Sequence, residues 1–97
     1  MLNTVYRHHS DLFSKTVGQE VHVLNLEWEN EIMVISGHAG RVWLAVDGHK
    51  TVEQLITELM LELPASIHDQ FKQDAQHFLF EMEEKKMLIQ STLDMKR

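Results

Sequence analysis

The sequence predicts an α+β fold in which a three-stranded antiparallel sheet precedes three helices. Three observations carry this expectation. Short runs rich in Val, Leu and Ile fall within the first 36 residues, apolar residues recur at helical spacing after residue 38, and no Pro/Gly/Ser-rich linker separates the two parts. A chain of 97 residues with 43% hydrophobic content can build one compact core, so residues 1–97 read as a single domain with its core at about 12–90.

Leu12 to Val17 is a weak first strand, and Gly18-Gln19 is its turn. Val21 to Glu27, rich in Val and Leu, is the second strand, and Glu31 to Ile35 is the third. The link Trp28-Glu29-Asn30 is short enough for a hairpin, with Asn30 able to take a left-handed conformation. The third strand of such a meander lies at an edge. Alternation along it sends Ile32 and Val34 to one face and Met33 and Ile35 to the other. One set can pack on the helices, and the other needs cover from the N-terminal segment or from a partner.

A short helix follows from His38 to Val46, with Val42, Trp43 and Val46 at helical spacing and an Asp47-Gly48 turn after it. Thr51 opens the second helix, and Gln54 three residues later completes a capping box. Val52, Leu55, Ile56, Leu59 and Leu63 recur at helical spacing on its buried face until Pro64 stops it. Ser66 is placed to cap the third and longest helix, with Asp69 near the positive end of its dipole. Ile67, Phe71, Ala75, Phe78, Leu79 and Met82 form its core stripe, and Lys85-Lys86 suit its C-terminal end. Phe80 falls off that stripe, which makes it either a ligand contact or a single exposed apolar side chain. Met87 to Gln90 adds a short strand before a polar tail.

Composition narrows the function classes. Fifteen acidic residues against nine basic ones give a formal charge of -6 with no basic stripe, which counts against a nucleic-acid partner. The absence of cysteine excludes disulfides, thiolate zinc sites and a cysteine nucleophile. No apolar run approaches the roughly 20 residues that span a bilayer. The start MLNTVYRHHSD is too polar for a signal peptide, so the expected location is cytoplasmic. His8, His9, His22, His38, His49, His68 and His77 form no HExxH motif and no i,i+4 ligand pair, and read as scattered solvated side chains. Asp69, Asp74, Glu81, Glu83 and Glu84 read as a charged helix face rather than an acid/base pair. With no nucleophile elbow, P-loop or dinucleotide fingerprint, the expectation is a binding module without catalytic residues, metal or cofactor.

The segment ISGHAGRVWLAVDG, followed by KTVEQLITEL, resembles the PqqD-like family, the peptide chaperones and RiPP recognition elements of peptide-modifying pathways. Arg41, Val42, Trp43, Asp47, Gly48, Thr51, Val52 and Leu55 match in register, and Asp74 to Leu88 is similar to the family's last helix and the apolar segment after it. The likeness spans about residues 12 to 90. It departs at Ser36, where Asn is usual, at Ala39, where Gly is common, and at Lys86, where a Gly often ends the last helix.

The resemblance implies a winged-helix-like domain that binds an extended leader peptide as an added strand on the third strand, in a groove walled by the last helix. An exposed strand edge is a ready template for such pairing. The implied peptide-binding residues are Glu31, Ile32, Met33, Val34 and Ile35 on the strand, with Asp74, His77, Phe78, Phe80 and Glu81 on the helix. The implied partners are a ribosomally made precursor peptide and a separate modifying enzyme of radical-SAM or cyclising type, with neither nucleic acid nor membrane among them and a homodimer as one candidate assembly. The alternative is a winged-helix DNA-binding regulator, because the helix–turn–helix topology is shared. The mainly acidic exterior of the second helix argues against it.

Overall fold

The computed structural model describes residues 2–10, 12–25 and 32–91. In chain order its elements are β1 (Tyr6–His8), β2 (Leu12–Val17), β3 (Glu20–Asn25), β4 (Ile32–Ser36), α1 (Gly37–Ala45), α2 (Val52–Met60), a 3₁₀ turn at Ala65–Ile67, α3 (His68–Glu84) and β5 (Leu88–Gln90). The α+β class is borne out: a three-stranded antiparallel sheet in the order β2-β3-β4 is followed by the helices. The expected third strand is β4, because a short strand, β1, precedes the meander. The expected hairpin link Trp28–Asn30 and the strand residue Glu31 lie outside the described residues.

Sheet registry follows from the side-chain pattern. Val21 stands opposite Ile35, and Val23 opposite Met33. On this inner face Val21, Val23 and Ile35 are buried, and Met33 packs against the core. The opposite face carries the row Phe13, Leu24 and Ile32, with Val34 beside it, and all four side chains are exposed. A one-residue slip would exchange the two faces, so burial of the Val pair fixes the register.

Helix α1 lies on the inner face and touches both other helices. The chain passes from β4 into α1 at Gly37, whose φ of 66° is a left-handed conformation that L side chains rarely adopt. Gly40 explains the close approach of helix to sheet. A Cβ there would meet the Ile35 carbonyl oxygen at 3.3 Å and Val21 Cγ2 at 3.4 Å. Beneath α1, Val42 and Trp43 are buried, and Trp43 anchors a core completed by Leu55, Ile56, Phe71, Ala75, Leu79 and Met82.

Local signals set most helix ends. The Asp47 carboxylate accepts from the His49 and Lys50 backbone N–H groups at 2.8 and 3.0 Å, which makes the expected turn. These bonds, that from Lys50 first, hold its carboxyl below the usual carboxylate range. Thr51 Oγ1 accepts from Gln54 N at 3.1 Å while Gln54 Oε1 accepts from Thr51 N at 2.9 Å, so the capping box is present.

Ser66 does not cap α3. It falls inside the 3₁₀ turn that Pro64 initiates, and the helix starts after Ile67 with no side-chain cap. The His68 ring pins this corner by bonding the Leu63 carbonyl at 2.9 Å. At the other end Lys86 takes φ 63°, Met87 N donates to Met82 O at 2.9 Å, and Lys86 N donates to Glu83 O at 2.9 Å. This is a Schellman motif with lysine in the left-handed position that glycine usually takes. Its apolar contact comes from the buried Met82 and Met87.

Strands β1 and β5 pair antiparallel, Tyr6 opposite Gln90 and His8 opposite Leu88. The core therefore reaches back to Tyr6, ahead of the residue 12 at which the sequence suggests it begins. Glu83 ties this ribbon to α3, accepting from the Tyr6 hydroxyl and from Gln90 Nε2, each at 2.7 Å. Burial first, then that bond, push the Tyr6 phenol above its ordinary range. Among the described residues no helix is long and apolar enough to cross a membrane.

Candidate functional site

Two features adjoin where β4 runs into α1. The first is the free edge of β4, which pairs with β3 on one side and with no other strand among the described residues on the other. An unpaired edge presents a row of N–H and C=O groups able to template another strand. Along it Ile32 and Val34 are 59% and 50% exposed, whereas Ile35 is 5% exposed and belongs to the core. The expected alternation holds.

The second feature is a groove between α1 and α3. It encloses about 260 Å³ and is lined by Ala39, Val42, Ile67, Phe71, Ala75 and Phe78, with His38, Gln70 and Asp74 at its lip. Small-molecule pockets usually enclose about 300–1,000 Å³, so this volume suits one or two side chains better than a cofactor. The His38 ring stands edge-on to Phe71, with centroids 5.8 Å apart and planes at 84°. Across from it Gln70 Nε2 donates to Asp74 Oδ1 at 2.8 Å, which fixes the carboxylate at the rim.

The expected helix residues separate into two groups. Asp74 and Phe78 line the groove. His77 and Glu81 sit outside its lining, largely exposed, with His77 Nε2 4.0 Å from Glu81 Oε1. Phe80 is 48% exposed and two residues beyond Phe78, which at about 100° per residue places it roughly 160° around the helix. It faces away from the groove. Ile32, Met33, Val34 and Ile35 contribute the edge but not the groove wall, which comes instead from the first turns of α1. Glu31 lies outside the described residues.

The sequence did not mark His38, Ala39, Val42, Ile67, Gln70 or Phe71 as groove residues. Their apolar members share the periodicity of the core, so spacing alone cannot separate a groove wall from the interior. The one available signal is Gln70-Asp74 at i,i+4, a polar pair flanking the Phe71 stripe.

His8 departs from the expected solvated state. It is half-buried, stacks on Trp43 with centroids 4.2 Å apart and planes at 14°, and bonds the Trp43 carbonyl through Nε2 at 2.9 Å. Burial lowers its pKa, against a smaller raising effect of that hydrogen bond. Among the described residues no group of three or more His, Asp or Glu side chains could hold a metal ion.

Comparison with known proteins gives a family match and a similar solved fold. The model of coenzyme PQQ synthesis protein D (PqqD) matches residues 20–88, from the first residue of β3 to the first of β5. No curated protein gives a match. In fold the chain is similar to TbiB1, solved in complex with the TbiA(beta) leader peptide. The two share 18% identity at a TM-score of 0.71, over 84% of this chain and 93% of that one. The matched span holds the edge strand, both walls of the groove and the Asp47 turn, and by it the chain belongs to the PqqD family.

Proposed function

We propose that the chain binds the leader region of a ribosomally made precursor peptide and presents it to a separate modifying enzyme, of radical-SAM or cyclising type, without catalysing a reaction itself. The observation that carries this reading is the continuity of a free strand edge with an apolar groove across a single residue, Gly37. The TbiB1 complex supports it, because a protein of the same fold holds a leader peptide.

In this reading the leader adds a strand to β4 and drops apolar side chains into the groove between α1 and α3. Only alternate residues of β4 turn their backbone groups outward, so about four hydrogen bonds are available. At about 1 kcal/mol each, with about two apolar anchors at roughly 3 kcal/mol each and about 2–3 kcal/mol lost in ordering the peptide, the surplus is near 8 kcal/mol. That corresponds to a Kd of about 1 μM.

NMR titration with the leader of a precursor encoded beside this chain tests the site. Amides of Ile32–Ser36 and of Gln70–Phe78 are expected to shift together and saturate at one affinity. Shifts confined to α2 or to the β1–β5 ribbon would overturn the assignment.

A further inference from the structure

The groove is apolar inside, but its lip is not electrically neutral. Asp74 stands on it as a carboxylate with one oxygen engaged by Gln70, and among the described residues no Lys, Arg or His lies within ion-pair distance of it. Lys72 is two residues earlier and so about 160° around the helix. Glu81 lies on the same flank two turns further on, about 10 Å along the axis. The whole chain carries a formal charge of -6. A ligand side chain entering between Phe71 and Phe78 displaces water beside Asp74. Its neighbours in the ligand then meet a negative charge that no described side chain neutralises.

We propose that Asp74 makes this groove selective for peptides in which the apolar anchor has a Lys or Arg within two residues of it, an inference that rests on the peptide-binding reading above. An extended chain rises about 3.4 Å per residue, so side chains one or two positions from the anchor emerge within about 7 Å of it. Arg and Lys stems span that distance while their own methylenes cover the rim of the groove. A Glu or Asp at the same place brings like charges together over a surface that has just lost water. Exposed ion pairs are worth up to a factor of about five in affinity, and like charges cost a similar factor. A Lys-for-Glu exchange beside the anchor should therefore change affinity about tenfold, and at most about 25-fold.

Selection of short random peptides displayed on phage, against the whole chain and its Asp74→Lys and Asp74→Asn variants, tests this. Asp74 is exposed on the helix surface, so both substitutions leave the core untouched. Wild type is expected to enrich an apolar residue flanked by Lys or Arg, Asp74→Lys an apolar residue flanked by Glu or Asp, and Asp74→Asn the apolar residue with no charged neighbour. A synthetic selected peptide remade with Glu for its Lys should bind wild type about tenfold more weakly and Asp74→Lys more tightly. Apolar enrichment without a charge preference, or one preference shared by all three proteins, overturns the role of Asp74 and leaves peptide binding standing. Enrichment of no peptide by any of the three overturns both.

Discussion

Where α1, α2 and α3 meet, Trp43, Leu55 and Leu79 are no more than 1% exposed, while on β4, which leads directly into α1, Ile32 and Val34 are 59% and 50% exposed. Both regions are built from the same kinds of residue. In the helical interior every large side chain has found a neighbour, and its cost of exposure is already removed. On the strand the side chains of one face and the backbone groups of one edge are left for something else to satisfy. Burial in the first region makes a fold, and incompleteness in the second leaves an edge and a face open to a partner.

Substitutions should separate the two regions. The largest effect is expected from Trp43→Ala. Emptying a buried Trp site costs about 3–5 kcal/mol, a large part of the roughly 5–15 kcal/mol that holds a domain together. The protein should melt some 15–30 °C lower, or be insoluble, and lose peptide binding with its fold. Trp43→Phe should cost less than half as much, because it keeps most of the volume and removes an indole N–H that has no hydrogen-bond partner among the described residues. A Trp43→Ala protein that melts with wild type yet fails to bind would move Trp43 from the interior to the binding surface.

The second effect belongs to the edge and should leave the fold standing. Proline at an outward position of β4 removes a donor and obstructs the incoming strand, and edge positions tolerate it. Either Met33→Pro, or Ile32→Pro and Val34→Pro, should weaken leader binding about tenfold or more, as read by isothermal titration, with a near-native melting temperature. The inward-facing set should instead break the β3–β4 ladder and melt early. Full affinity in every folded proline variant would end strand addition and leave docking in the α1–α3 groove.

The smallest effect lies at the seam, where His8 covers Trp43. Burial depresses the His8 pKa below its ordinary value of 6.5. The unfolded chain therefore binds the proton more readily. The stability His8 contributes is complete above about pH 6.5 and is lost as pH falls through the lower folded value. Thermal melts between pH 7.5 and about 5 should show wild type losing stability toward acid and His8→Gln losing less. Parallel curves would remove His8 as the titrating group.

The elements legible in the sequence are those with a local cause. The capping box at Thr51 and Gln54, the Asp47 turn and the alternation of Ile32 to Ile35 each arise from residues a few positions apart, and each stands where its residues place it. The edge of the candidate site was legible for the same reason. Strand β1 was not, because Tyr6, Arg7 and His8 carry no alternation and are held by partners near residue 90. Ser66 suggested a cap that the turn after Pro64 displaced by one residue. Most of the groove was hidden because residues such as Val42 and Phe71 satisfy the core pattern and the groove pattern at once. Phe80 stood out as the residue off the stripe, and the turn of the helix carries it away from the cavity.

Gly37 joins the edge to the groove without a loop. A loop there would let the two half-sites move independently, and a peptide would pay an ordering cost at each. Across one residue they form a single lever. In the proposed binding mode a segment paired with β4 is already delivered to the mouth of the cavity at a high local concentration, so that two contacts too weak to hold alone multiply rather than add. In that mode specificity gains as well, because a peptide would have to satisfy the edge and the cavity in one fixed register, and a ligand shifted by one residue would lose both.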